Sequence, residues 1–306
     1  MARQSSGISA RVEYELFGAA RSALRSLPLR RAMSLGVCLG AITAALDRFN
    51  RPVAMRNLEI AFPHWSVEQR LATLKSMYRQ WGRMAAEWCH FDELTPANIA
   101  QFAHYEGVEN WQRALELARG GGGFIFTGHF GNFELLMLAH ALFGHPVAIV
   151  HRPLRNPLID ATVYRTRTRA GNRMIARKGA AQEIASIVRR GGVAAIPIDL
   201  DVRRGVFVDF FALKACTTPS LARLAIATGT PAVPGFIVRE GDSPHHKMVI
   251  LPPLDIVREG NREEAIRETT QRATRVVENI IRQYPDHWNW IHRRWKTRPP
   301  GEKRFY

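Results

Sequence analysis

The stretch GFIFTGHFGNFELLMLAHAL at residues 123–142 decides the fold that the sequence predicts. It reads as a short buried strand, a glycine turn around His129 and an apolar helix. Further strand-like apolar runs follow at 146–151, 192–198, 231–238 and 247–251. Helical stretches are interleaved with them at 130–143, 156–170, 179–190, 217–228 and 262–284. This alternation predicts an α/β fold in which helices flank a mixed sheet.

The N-terminal part of the chain has helical spacing instead, over residues 8–95. We therefore predict a helical, membrane-associated segment at 1–95 and an α/β domain at 96–306. Residues 32–46 carry no charge over 15 residues, whereas a membrane-spanning helix needs about 20. Three interpretations stay open: a packed core helix, a helix that lies shallowly in a membrane interface behind Arg30 and Arg31, or a true span.

The charge balance narrows the range of partners. Lysine and arginine total 43 against 27 acidic residues, which gives a net charge of +16. Such an excess favours partners that carry phosphate or carboxylate groups, such as anionic lipid, an acidic protein or nucleic acid. The three cysteines, Cys38, Cys89 and Cys216, are far apart and odd in number, which indicates reduced thiols and argues against a disulfide framework.

His129 and Glu134 form the candidate catalytic pair. Glu134 lies in the first turn of the predicted helix, so the chain reversal could bring its carboxylate to the imidazole. A carboxylate on one ring nitrogen fixes the tautomer and leaves the other nitrogen to take a proton from an alcohol. No G-x-S-x-G motif supplies a separate nucleophile, which indicates direct attack by a substrate hydroxyl. The spacing alone is also compatible with a structural histidine.

Five motifs in order resemble one family. GHFGNFE at 128–134 resembles the H-x-x-x-x-D/E block of the lysophospholipid acyltransferase superfamily, and more closely the H-F-G-N-W-E block of the Gram-negative lipid A biosynthesis (late) acyltransferases. The other similar blocks are RNLEIAFP at 56–63, HRPLRNPLID at 151–160, GGVAAIPIDLDVRRGVFVDFFALKACTTP at 191–219 and YPDHWNWIHRRWKTRPPG at 284–301. The resemblance covers nearly all of the chain from about residue 50 and implies a glycerolipid-acyltransferase-like fold.

The resemblance also implies roles for single residues. His129 would be the general base and Glu134 its orienting partner. Asn132, with the amides of the helix start, would donate hydrogen bonds to a thioester carbonyl. Arg152 would meet a phosphate or the developing charge. The implied substrate-binding residues are Asn132, Arg152, Asn156 and Asp199, the last as a second polar wall of the site.

The expected function is therefore acyl transfer from an acyl thioester, with acyl-carrier protein as donor, to a hydroxyl of a lipid A precursor or related glycolipid. No metal or organic cofactor is expected, and the expected location is the cytoplasmic face of the inner membrane, peripheral or shallowly anchored. One rival is a lysophospholipid or other glycolipid acyltransferase that uses acyl-CoA. The other is a basic nucleic-acid-binding protein, which we do not expect.

Three tryptophans near the C-terminus are relevant to the nucleic-acid-binding hypothesis. Trp288, Trp290 and Trp295 alternate with cationic side chains. Aromatic residues among cations suit a bilayer interface or stacking on single-stranded nucleic acid. Core tryptophans beneath a solvated basic face are the third possibility.

Overall fold

A computed structural model describes residues 7–118 and 121–306 and contains a seven-stranded mixed sheet with a separate hairpin. The strand order is β1-β9-β8-β2-β5-β3-β4, and only the β8–β9 pair among these neighbours is antiparallel. The strands are β1 (Ala103–Glu106), β2 (Gly123–Thr127), β3 (Val147–His151), β4 (Arg173–Ala176), β5 (Val193–Pro197), β8 (Ala232–Arg239) and β9 (His246–Ile250). The hairpin pairs β6 (Val206–Phe210) with β7 (Leu213–Thr217).

Ten α-helices lie in the described part of the chain. Four come first: α1 (Ile8–Arg25), α2 (Leu29–Leu46), α3 (Arg51–Ala61) and α4 (Val67–Cys89). Six are interleaved with the strands: α5 (Val108–Leu117), α6 (Phe133–Leu142), α7 (Pro157–Thr168), α8 (Ala180–Arg189), α9 (Ser220–Thr228) and α10 (Arg262–Gln283).

The helices cover both faces of the sheet because its strands are apolar on both sides. Side chains alternate between faces along a strand. Phe124 and Phe126 on β2 belong to the core cluster shared with α8, α9 and α10, whereas Ile125 packs in a second cluster with Trp111 of α5. The predicted mixed α/β fold flanked by helices is confirmed.

The N-terminal segment predicted to be helical at 1–95 contains α1 to α4. Its residues 1–6 lie outside the described residues. Ser66 starts α4 with the capping box that its sequence indicates. α2 crosses α4 closely because glycines face each other: a Cβ on Gly36 would lie 2.3 Å from the carbonyl oxygen of Gly82. α2 is long and apolar enough to cross a membrane by length and composition, which is weak evidence for a span.

The C-terminal tryptophans belong to the core. Trp288, Trp290 and Trp295 are 0% exposed and pack with Phe210 and Phe211 of the hairpin. Fully buried rings cannot stack on nucleic acid bases or lie among lipid headgroups. Of the three interpretations of these residues, the core one is therefore correct.

Candidate active site

His129 lies in the turn between β2 and α6, at the carboxyl end of a central strand. Ligand sites of α/β sheets gather at this edge. Two glycines shape the turn. Gly131 has φ +56°, and a Cβ there would lie 2.1 Å from the carbonyl oxygen of Ile237. A Cβ on Gly128 would lie 3.1 Å from Cγ of Asp199, so glycine lets that carboxyl group approach the turn.

Asp199 holds the imidazole of His129. It follows β5, which is the neighbour of β2 in the sheet, so the two strand ends bring the residues together. The ring Nδ1 lies 2.9 Å from Oδ1 of Asp199, and the backbone N–H of His129 donates to Oδ2 over 2.8 Å. Trp288 donates its indole N–H to the same Oδ2 over 2.9 Å. The side chain of Asp199 is 0% exposed and that of His129 is 29% exposed, so the ring stays within reach of a substrate.

The charges at this pair favour an ionised Asp199. Burial opposes its ionisation, but His129 and the hydrogen bonds lower the pKa of Asp199 to about 2. Burial alone would lower the pKa of His129, yet the charge and hydrogen bond of Asp199 outweigh it and raise that pKa above 6.5. A carboxylate on Nδ1 keeps the proton there, which leaves Nε2 with the free lone pair.

Glu134 does not make the hydrogen bond to His129 that the sequence suggested. Its carboxylate, in the first turn of α6, forms a two-pronged ion pair with the guanidinium of Arg167 on α7; Nε donates over 2.9 Å. Arg167 lies next to His151, whose Nε2 is 3.0 Å from Asp160. Glu134 still acts on His129 through space, because its charge raises the pKa of that imidazole.

Asn132 is also used inside the protein. Its Oδ1 accepts the backbone N–H of Leu135 and so caps α6. Its Nδ2 donates over 2.7 Å to Glu87 of α4, which is itself paired with the buried Arg239. The residue is 3% exposed. That Asn132 donates to a substrate carbonyl stays a prediction, and in the structure its side chain fastens the turn that carries His129 to α4.

Arg152 and Asn156, both predicted to bind substrate, lie in different parts of the structure. Asn156 caps α7 through Oδ1, and its Nδ2 donates to the carbonyl of Ala10 on α1, so it links α1 to the sheet domain and does not line the cleft. Arg152 follows β3 directly, is exposed and lines the large cleft described next. The structure therefore keeps Arg152 near the site and moves Asn156 away from it.

A cleft of about 1660 Å³ opens at the carboxyl edge of the sheet. Its charged lining is strongly cationic: Arg152, Arg155, Arg177, Arg203, Arg204, Arg293 and Lys296, against the single carboxylate Asp201. Asp201 lies two residues after Asp199, the partner of His129, which places the cleft beside the turn that carries His129. Such a lining suits an anionic ligand, and the planar guanidinium groups suit phosphate in particular.

The C-terminal block contributes site residues that sequence reasoning left without a role. Trp288 holds Asp199, and His292 accepts the backbone N–H of Asp201 at Nε2 over 2.9 Å. Arg294 is fully buried and donates to the carbonyl of Cys216 over 3.0 Å. The only signal for these positions is the similarity of the 284–301 block, because they lie some 90 residues from Asp199 in the sequence.

Comparison with known proteins identifies the family of this chain. Residues 12–297 match the family described as bacterial lipid A biosynthesis acyltransferase. The chain is 30% identical to the lipid A biosynthesis lauroyltransferase of Escherichia coli over 90% of this chain and 88% of that protein. It is 26% identical to the palmitoleoyltransferase of the same organism over 92% and 90% of the two chains. A lipid A biosynthesis acyltransferase of Haemophilus influenzae is 25% identical over 91% and 86%. This chain therefore belongs to the bacterial lipid A biosynthesis acyltransferase family and is an acyltransferase.

Proposed function

We propose that the protein transfers a fatty acyl chain from an acyl thioester, carried by acyl-carrier protein, to a hydroxyl of a lipid A precursor. The observation that carries this proposal is the His129 ring, held at Nδ1 by a buried carboxylate and reachable from outside. A neutral imidazole in this tautomer is suited to deprotonate an alcohol near neutral pH.

The reaction needs no covalent enzyme intermediate. Nε2 of His129 takes the proton of the acceptor hydroxyl while that oxygen bonds to the thioester carbonyl carbon. Asp199 stabilises the imidazolium that forms. Collapse of the tetrahedral intermediate breaks the carbon–sulfur bond, and the departing thiolate receives the proton from the imidazolium. The products are an ester and a free thiol, and His129 and Asp199 return to their starting states.

Glu134 has an electrostatic role in this proposal. Its ion pair with Arg167 keeps a negative charge near His129, which favours the imidazolium, while Arg167 itself acts in the opposite direction. Both groups are partly buried, so water screens them less than it would at the surface. Glu134 thus raises the pKa of His129, and Asp199 fixes the orientation of the His129 ring.

The cationic cleft is the proposed site for the phosphorylated headgroup of the acceptor. The lining arginines match phosphate geometry, and the cleft borders the loop that carries Asp199. The same positive field favours approach of an acidic carrier protein, since complementary charge raises association rates. Acyl-CoA is also anionic, so charge alone does not distinguish it from acyl-carrier protein as the donor. A direct comparison of the two donors in the transfer assay does.

Arg152 gives a test of the cleft. Arg152→Ala should lower kcat/KM for the acceptor by about 10- to 100-fold, which corresponds to loss of one charge-assisted hydrogen bond. Arg152→Lys should recover little of this, because a point charge does not replace the bidentate guanidinium. Steady-state kinetics against acceptor concentration measures both. Arg113→Ala on α5 is the matched control, and equal kinetics for the Arg113 and Arg152 variants would remove Arg152 from the acceptor site.

We also propose peripheral attachment to an anionic membrane through α2. One side of this helix packs on α4, and another side exposes an apolar row of Leu35, Leu39, Ile42 and Leu46. Exposed arginines lie at both ends of the row: Arg30, Arg31, Arg48 and Arg51. Asn50, just beyond the row, lines the cationic cleft, so membrane headgroups under α2 would meet the cleft mouth.

High salt should release part of the protein from vesicles that contain anionic lipid, because each cation near such a surface contributes about 1 kcal/mol. Leu39→Glu with Ile42→Glu should release more of it by removing apolar contact and adding repulsion. Flotation with vesicles measures the bound fraction, with Leu117→Glu on α5 as the exposed apolar control. Protein that stays fully bound after salt and alkaline washes would mean that α2 spans the bilayer.

The proposed acceptor is tested in cells. Mass spectrometry of lipid A from a strain with the gene deleted should show loss of one acyl chain, and the plasmid-borne gene should restore it. Lipid A of unchanged mass together with altered phospholipids would instead indicate a lysophospholipid acceptor.

A further inference from the structure

His292 is a second imidazole at the site that the reaction above does not use. It lines the cationic cleft and is half-buried. Its Nε2 lies 2.9 Å from the backbone nitrogen of Asp201. A backbone N–H can only donate, so Nε2 must be the acceptor and the ring proton must be on Nδ1. The hydrogen bond therefore fixes one neutral tautomer.

The remaining ring nitrogen of His292 is available to a ligand. Nδ1 has no hydrogen-bond partner among the described residues. It is also not one of the fully buried side-chain atoms without a partner, so it is at least partly exposed. Burial lowers the pKa of His292, and Arg294 and His129 act in the same direction against Asp199 and Asp201. The ring thus offers a neutral N–H donor near neutral pH.

The two imidazoles are fixed to neighbouring points of one loop. Asp199 holds Nδ1 of His129, and the amide of Asp201 holds Nε2 of His292. Residues two apart along a chain lie at most about 7 Å apart. One ring presents a lone pair and the other presents an N–H, and the rings are near enough for the charge of His129 to lower the pKa of His292.

Three of the candidate donors near the turn are already engaged. The backbone N–H of His129 donates to Asp199, and that of Gly131 donates to the carbonyl of His287. The side chain of Asn132 is committed to Glu87 and to the start of α6. A tetrahedral intermediate of acyl transfer nevertheless needs a donor aimed at its oxyanion.

We propose that Nδ1–H of His292 donates a hydrogen bond to the carbonyl oxygen of the acyl thioester. The bond strengthens as that oxygen becomes an oxyanion and weakens when the thiolate leaves. The His292 proton stays on Nδ1 throughout, because His129 alone takes and returns the transferred proton. This inference rests on the proposed acyl transfer and names a catalytic residue for it.

Two amide substitutions separate this role from a structural one. Gln places its amide oxygen near the position of Nε2, so His292→Gln keeps the acceptor for Asp201 and loses the donor at Nδ1. Asn places its amide nitrogen near Nδ1, so His292→Asn keeps the donor and loses the contact with Asp201. A purely structural histidine would tolerate Gln and suffer from Asn.

His292→Gln should lower kcat about 100- to 1000-fold, the effect of removing one oxyanion donor, with KM changed far less. His292→Asn should retain more turnover than His292→Gln, and His104→Gln on β1 is the exposed control. Circular dichroism checks that each variant is folded. Near-normal turnover of His292→Gln, or greater loss in His292→Asn, would overturn the inference.

Nitrogen-15 chemical shifts of the wild-type protein give an independent readout. They should show His292 protonated at Nδ1 and unprotonated at Nε2 around neutral pH. A proton on Nε2 would overturn the inference even in an active enzyme. If His129→Ala abolishes transfer while His292→Gln leaves it intact, the inference about His292 is wrong and the proposed function stands. If His129→Ala keeps full activity, the proposed mechanism itself is wrong.

Discussion

His129→Ala is expected to lower turnover by about two to four orders of magnitude, the range for loss of a general base. An alcohol has a pKa far above 7, so its attack on a thioester needs a base as the new bond forms. Nε2 is the free nitrogen of a ring whose other nitrogen is held by Asp199. Removing the ring removes the proton acceptor and leaves the cationic cleft in place.

Turnover under saturating donor and acceptor measures this effect. His145→Ala is a suitable control, because His145 is exposed at the far end of α6, away from the catalytic turn. Circular dichroism should show both variants folded. Folded His129→Ala protein that keeps more than about a tenth of wild-type transfer would contradict a base-catalysed mechanism.

Asp199→Asn is expected to lower turnover by a similar factor, about two to four orders of magnitude. An amide can turn its NH₂ toward Nδ1, which shifts the ring proton to Nε2 and removes the lone pair that the reaction needs. Glu134→Gln should cost clearly less, because Glu134 contacts Arg167 and reaches His129 only through its field. The variant with the larger loss of turnover identifies the carboxylate that orients the base.

The pH dependence of turnover gives a second readout for the same variants. His129 must be neutral to act, so the rate falls as the pH drops through its pKa. Burial lowers that pKa, but Asp199 and, to a lesser extent, Glu134 raise it. Asp199→Asn should therefore move the acid limb to lower pH while reducing the plateau, and Glu134→Gln should move it less. A larger loss and a larger shift for Glu134→Gln would reverse the assignment of the two carboxylates.

Much of the fold was predictable because its strands are apolar on both faces. The runs at 123–128 and 192–198 became β2 and β5 nearly to the residue. Two short strands, β1 and β4, escaped prediction since each has only four residues and mostly exposed or half-exposed side chains. The β6–β7 hairpin was also missed, because its turn at Phe211 and Ala212 has positive φ without the glycine that usually signals such a turn.

The position of His129 in the fold was predictable from the sequence, and the residues that contact it were not. The strand–turn–helix pattern locates His129, since the glycines and the apolar runs on either side of it indicate that turn in the local sequence. The partner of His129 comes from the neighbouring strand in the sheet, and strand order is not encoded locally, so Glu134 looked the nearer carboxylate. Asn132 was likewise assigned to substrate, because nothing in its own segment indicates Glu87 on α4.

The most direct test of the account is acyl transfer by purified protein, followed by mass spectrometry of the acceptor. Wild-type protein, acyl-carrier protein loaded with a fatty acyl chain, and a lipid A precursor are incubated in anionic vesicles beside a reaction with His129→Ala. We predict that the wild-type reaction adds the mass of one acyl chain to the precursor and releases free carrier thiol, while the variant forms almost no product. An unmodified precursor in the wild-type reaction, or equal product with His129→Ala, would contradict the account.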